Sequence, residues 1–358
     1  MTLRDRTDHS LLSRPFVIAP TDKDHRLTIL SFLNRHERLL WALHSLWALA
    51  LGVVVMWAGA RNYTWLRVTI FYIAFLWVTS LFVPALVDRP GAGTKWRGRL
   101  RLVINYFAKN FYQQLLFFLL PIYYASASAW SANLLFVLFL AASALISTFD
   151  VFFDQLLSVR RGLTAVFFAF NLFACINVML PVLWGISNST ALRVSVLLAV
   201  AAFATIRYRF AELALREHRI QIGVSAIALV LLVALGRPLI PPAPLRVLQT
   251  EFGTGIDRTA FQVTGPVVSL PAGWTGRVYG VTSIYAPLGL HDRIGHRWYQ
   301  DGKLVFASPF YLIEGGRPEG FRLWTSAPAT DIRAGVRLTV EAWTEAGQLV
   351  GRADIRGE

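Results

Sequence analysis

From Leu39 to Gly236 the chain runs in long apolar blocks separated by short polar ones, and past residue 246 the blocks give way to alternation. Runs of roughly 17 to 25 apolar residues are long enough to cross a hydrocarbon core as helices. Seven candidates appear: Leu39 to Ala60, Leu66 to Val87, Phe111 to Ala129, Asn133 to Phe149, Leu163 to Ile186, Ala191 to Ile206 and Ile220 to Gly236. The sixth and seventh are short, and Arg193 interrupts the sixth. Beyond the last block comes GRPLIPPAPLR, where closely spaced prolines cannot continue a helix and favour a stiff, extended spacer. Further on, Val336, Leu338, Val340 and Ala342 alternate with Arg337, Thr339, Glu341 and Trp343, the period of a strand. Asp301-Gly302 and the EAGQ segment after Thr344 read as hairpin turns, so six or seven short strands folded as a small β-sandwich are expected.

The expected architecture is an α-helical multi-pass membrane bundle followed by a small all-β, sandwich-like extracytoplasmic domain. Its parts are a basic cytoplasmic segment over 1–38, a helical membrane domain over 39–236, a proline-rich linker over 237–246 and a β-sandwich over 247–358. Composition agrees. Hydrophobic residues make up 55% of the 358 and charged residues only 16%, where soluble domains carry about a quarter.

The net charge of +14 raises nucleic acid as a partner until its distribution is read. Arg4, Arg6, Arg14, Lys23, Arg26, Arg35 and Arg38 precede the first block, and Arg89, Lys95, Arg97, Arg99, Arg101 and Lys109 lie between the second and third. Arg160 and Arg161 follow the fourth, and Arg207, Arg209, Arg216 and Arg219 follow the sixth. The opposite loops and their flanks hold Arg61, Arg67 and Arg193. Cytoplasmic loops are enriched in Lys and Arg, so the N-terminus is expected in the cytoplasm and the tail beyond the prolines outside it. Orientation thus absorbs the positive charge, and no nucleic-acid partner is expected. The first apolar block is too long for the core of a cleaved signal peptide, so it is expected to remain as a helix. A lone cysteine, Cys175, excludes an intrachain disulfide.

Candidate chemistry is sparse. Asp150 and Asp154 extend a helical stripe with Ser143 and Ser147 at the cytoplasmic edge of the fourth block. They read either as a cation or headgroup site or as a solvated helix end pairing with Arg160 and Arg161. Asn105, Lys109, Asn110, Gln113 and Gln114 open the third block at the same depth, and Asn171 lies within the fifth. Together these define a candidate polar pocket on the cytoplasmic side; the alternative is an amphipathic helix lying in the headgroups. Asn177 and His44 are read as hydrogen-bonded packing residues. His291, Asp292 and His296 suggest zinc, but strand alternation would scatter them, so no metal is expected. Asn188-Ser189-Thr190 matches a glycosylation sequon pressed against the bilayer, where chance is the better account. Trp298, Trp324 and Trp343 form a candidate surface for a protein, glycan or lipid partner. No Gly-x-Ser-x-Gly, phosphate-binding loop or His-Glu-x-x-His is present, so no nucleophile and no cofactor are nominated.

The stretch from HRWYQDGKLVF through FRLWTSAP to GVRLTVEAWTEAGQLVGRADI resembles a C-terminal bacterial domain of unknown function, number twenty-nine-fourteen. His296, Trp298, Gly302, Trp324, Ser326, Gly335 and Gly347 carry the likeness, which departs at Val336, where that family tends to place Trp. NFYQQLLFFLLPIYYASASAWSANLLF with FDVFFD resembles the multi-pass module often joined to that domain in proteobacterial inner-membrane proteins. These resemblances imply a bacterial inner membrane and a periplasmic tail, and supply no activity. With no catalytic constellation in the tail and a stiff proline spacer before it, a non-enzymatic envelope protein presenting the β-domain to a partner is expected; a membrane-embedded enzyme or lipid-handling protein with its polar pocket around Asp150 and Asp154, and a transporter, are the alternatives.

Overall fold

A computed structural model describes residues 46–47, 49–50, 53–54, 113, 115–128, 131–149, 161–208 and 216–358. Ala48–Glu358 form one compact unit. Its helices are α1 (Leu115–Ala125), α2 (Leu134–Thr148), α3 (Arg161–Trp184), α4 (Asn188–Arg207) and α5 (Arg216–Leu235). Three of them, α3, α4 and α5, are long and apolar enough to cross a membrane by length and composition. Helices α1 and α2 are apolar but shorter, so among the described residues the seven expected crossings reduce to three of sufficient length. The first two expected spans lie almost wholly outside the described residues.

Pro181 sits inside α3, and the helix closes just beyond it at Gly185, which takes the left-handed conformation (φ 62°). The Gly185 N–H bonds to the Pro181 carbonyl at 3.1 Å, the usual closure for a helix ending in a left-handed glycine. Two residues on, Ser187 caps α4 by accepting from the Thr190 N–H at 3.4 Å. At the far end of this hairpin Arg207 comes within 3.9 Å of a Cβ built on Gly162, so the basic ends of α3 and α4 lie together.

The β-rich region is a sandwich of two mostly antiparallel sheets. One has the order β2 (Gln262–Pro266), β1 (Arg246–Asp257), β4 (Trp274–Tyr285), β8 (Phe321–Ile332). The other has the order β3 (Ser269–Leu270), β10 (Leu349–Gly357), β9 (Arg337–Thr344), β5 (His291–Gln300), β6 (Lys303–Ala307), with β7 (Tyr311–Glu314) also pairing with β5. Asp301 and Gly302 both take positive φ and turn β5 into β6, and Gly347 does the same between β9 and β10. Phe252 and Val278 of the first sheet and Trp298, Leu338, Val340 and Ile355 of the second interlock in one core.

The proline segment departs from expectation. It does not stand off as a spacer: Arg237–Leu239 form a short 3-10 turn, and Ile240 through Leu245 are all buried. Gln348 at the β9–β10 turn donates from Nε2 to the Ile240 carbonyl at 3.1 Å. Prolines carry no N–H to leave unsatisfied, so a run of them can be buried cheaply where an ordinary loop cannot.

Candidate functional site

Of the expected polar pocket, Asn105, Lys109, Asn110, Gln114, Asp150 and Asp154 lie outside the described residues. Gln113 and Asn171 are both buried. Asn171 bonds back to the Phe167 carbonyl of its own helix at 2.7 Å, leaving Oδ1 without a partner. Ser143 and Ser147 likewise bond to carbonyls of their own helix, at Phe139 and Ala144. Asn177 reaches across to the Tyr123 hydroxyl at 3.2 Å, and that hydroxyl donates to the Ala174 carbonyl at 2.9 Å, a packing role. Cys175 is fully buried, with its sulfur 2.8 Å from that of Met179.

The tryptophans separate into three environments. Trp298 is a correction: it is fully buried, not part of a partner surface. Asp292, Ile294, His296 and Trp298 share one parity on β5, which faces inward, so Trp298 enters the core. Gly280 makes room for it, since a Cβ there would sit 2.9 Å from the indole. The Trp298 N–H donates to Thr325 Oγ1 at 2.7 Å, and His296 Nδ1 meets the same oxygen at 2.8 Å. Burial holds the His296 imidazole neutral, with its pKa pushed down to about 3, and Nε2 has no partner.

Trp343 is half-buried on the outer face of the second sheet and fully engaged. The Arg297 guanidinium lies over its ring at 4.6 Å, and its N–H donates to Glu341 Oε2 at 2.8 Å. Glu341 is itself buried and accepts from Arg352 Nε at 2.8 Å and from Nη2.

Trp324 is half-buried on the outer face of the first sheet. Arg258, from the β1–β2 turn, covers its ring at 5.5 Å. Two positions before it on β8, Arg322 donates to the Ala260 carbonyl at 3.2 Å. Two positions after it, Ser326 accepts from Arg277 at 2.9 Å. Among the described residues none of these three guanidiniums is in an ion pair. The face therefore offers spare N–H donors beside aromatic surface, which suits an anionic group.

A second polar cluster joins the sandwich to the helices. Asp292 is buried, and its Oδ2 accepts from the Asn188 N–H and from Asn188 Nδ2, both at 3.0 Å, at the first residue of α4. Its Oδ1 accepts from the Arg293 N–H at 2.8 Å. Burial outweighs these donors and pushes the Asp292 carboxyl pKa up. Gly185 belongs to the same contact: a Cβ on it would sit 2.1 Å from the Gly289 carbonyl oxygen, so only glycine admits the β4–β5 loop here. Asn133 donates to the Leu349 carbonyl at 3.2 Å, and Arg237 to that of Ala346 at 3.5 Å. Asn188 is thus a buried connector, not a glycan acceptor. His291 is exposed while Asp292 and His296 point inward, and no group of metal-binding side chains occurs among the described residues.

Residues 22–271 match the model of a family described as "Family of unknown function (DUF5924)". The chain belongs to this family. The match takes in every helix described above and β1 to β3 of the DUF5924 protein, and stops short of β4. No curated protein matches the chain. Among solved structures, Pseudomonas fluorescens alkylpurine DNA glycosylase AlkC bound to DNA containing an abasic site analog aligns over 82% of this chain and 81% of its own, at 12% identity and a TM-score of 0.23. Nothing about fold or activity follows from a likeness at that score.

Proposed function

We propose that this DUF5924 protein is a non-enzymatic, multi-pass protein of a bacterial inner membrane. Its N-terminus is cytoplasmic, and it holds a β-sandwich at the periplasmic surface as a binding module for an anionic partner. One observation carries the reading. The hydrogen bonds that tie the sandwich to the helices fall at Asn133, at Asn188 and at Arg237–Ile240. These are the ends away from Arg161, Arg207 and Arg216, where the basic residues of the sequence concentrate. With the basic ends in the cytoplasm, the sandwich stands on the other side.

The alternation of basic-rich and basic-poor loops supports the same orientation, as does the periplasmic tail implied by the resemblance of the last 80 or so residues to a bacterial domain of unknown function. The Trp324 face supports binding there. A paired reporter test decides the orientation: alkaline phosphatase fused after Glu358 is expected to be active, and a fluorescent protein that folds only in the cytosol dark. The reverse pattern removes the reading. For binding, native mass spectrometry of the membrane-extracted protein is expected to find a ligand that Arg258→Ala with Arg322→Ala loses and Arg352→Ala keeps.

A further inference from the structure

We infer that the β4–β5 loop is a lipid-contacting tooth, with Leu288 set in the interfacial region of the same bilayer that the helices cross. Leu288 is 83% exposed at the tip of a loop whose Ala286, Pro287 and Leu290 are buried and which is braced on both sides. On one side Gly315 and Gly316 donate to the carbonyls of Leu290 and Ala286 at 2.9 and 3.0 Å. The packing is close enough that a Cβ on Gly315 would fall 1.8 Å from the Pro287 oxygen, and one on Gly316 would fall 2.6 Å from Leu288 Cδ1. On the other side the Gly289 carbonyl abuts Gly185. A loop held by contacts on both sides does not leave a leucine in water by accident of mobility, and its apolar surface gains by being covered.

The depth of the loop identifies what covers it. Gly185 is the residue at which α3 ends, and Trp184 just before it is 61% exposed, the position where membrane helices place interfacial aromatics. Below that level the helices show lipid-like exposure: Leu197 at 67% on α4, and Val224 and Ile227 at 62% each on α5. Leu235, at 81%, marks the same level on α5. Leu288 therefore continues an apolar belt already present on the helices, and a bilayer covers all of it at once.

This rests on the membrane reading above, and the test separates the two. In full-length protein carrying Cys175→Ala, single substitutions Leu197→Cys, Leu288→Cys and Val268→Cys are labelled with an environment-sensitive fluorophore. The proteins are then placed in phosphatidylethanolamine–phosphatidylglycerol vesicles containing brominated lipid. Val268 is 95% exposed and lies beside Ser269, which pairs with Arg356. Arg356 is seven residues along β10 from Leu349, the residue that touches Asn133, so Val268 stands roughly 20 Å from the helix ends. Labels at Leu197→Cys and Leu288→Cys are expected to lose most of their fluorescence and the Val268→Cys label none. If Leu288→Cys behaves like Val268→Cys while Leu197→Cys is quenched, the inference is overturned and the membrane reading stands. If Leu197→Cys is not quenched either, both fall.

Discussion

The two outer faces of the sandwich carry the same ingredients, a half-buried tryptophan with an arginine over its ring, and use them oppositely. Around Trp343 the acid is built in: Glu341 binds the indole N–H and Arg352 together, and Arg293 with Glu345 and Arg337 with Asp354 add two looser pairs. Around Trp324 the acid is missing, and Arg258, Arg277 and Arg322 find only a ring, a hydroxyl and carbonyls. Of the acids on β1, Glu251 bonds to Gln249, and Asp257 accepts from the Thr259 and Ala260 N–H groups of the turn that carries Arg258. A self-satisfied face stabilises the sheet beneath it, whereas a face with donors to spare can gain an acid from outside. The contrast separates a surface whose charges are paired from one whose guanidiniums lack acids.

Acid should loosen both faces together, because His296, beside Arg297 on β5, bonds to Thr325, beside Trp324 on β8. The folded protein keeps His296 neutral down to about pH 3, while the unfolded chain takes up a proton near pH 6.5. Stability is therefore lost as pH falls from about 6.5 toward about 3, by up to about 1.4 kcal/mol per pH unit from this one group. His296→Gln should flatten that slope in hydrogen exchange of β5 and β8 amides. Asp292, with its raised pKa, works in the opposite sense and is present in both proteins, so it cancels in the comparison.

Glu341→Ala should injure one face only. It removes the acid shared by Arg352 and the Trp343 N–H, and with the Arg352 side chain partly solvated a cost of about 2 kcal/mol is expected, seen as faster exchange in β9 and β10. Glu251→Ala, at an exposed site, should change exchange in β1 and β4 by no more than about 0.5 kcal/mol. Equal losses would break the comparison.

Replacing the tryptophans sharpens it. Trp343→Ala should cost roughly 2 kcal/mol, through its hydrogen bond, its cation–π contact and its buried area. Trp324→Ala should cost about half that in unfolding, yet remove ligand retention measured by native mass spectrometry. Arg258→Ala should alter stability by less than about 1 kcal/mol, since only a cation–π contact is lost.

Particular residues show what was legible beforehand. The hairpin turns at Asp301-Gly302 and Gly347 are local, set by residues that accept positive φ, and they occur where the pattern places them. Asp292 was legible in principle as well: it shares parity with Leu290 and Ile294, so a strand reading puts a carboxylate among inward positions, where it needs donors. What supplies those donors, the start of a helix 104 residues earlier, has no local signature. Trp298 was misjudged because aromatic content alone does not choose a face, whereas Gly280 on the opposing sheet does. Arg322 and Arg277 read as ordinary polar positions, and their lack of acids is visible only once β4 and β8 are paired.

The sequence by itself determined the apolar helices, the switch to strands after the prolines, the sorting of basic residues and the tight turns. Each follows from periodicity, composition or backbone preference acting within a few residues. Only the tertiary structure decided that the proline segment is buried, that Asp292 grips the start of α4, and that one tryptophan face is neutralised while the other is not. Those outcomes depend on which distant groups share a space too small for water, and burial of that kind sets whether a charge, a donor or a ring is used up or left to bind.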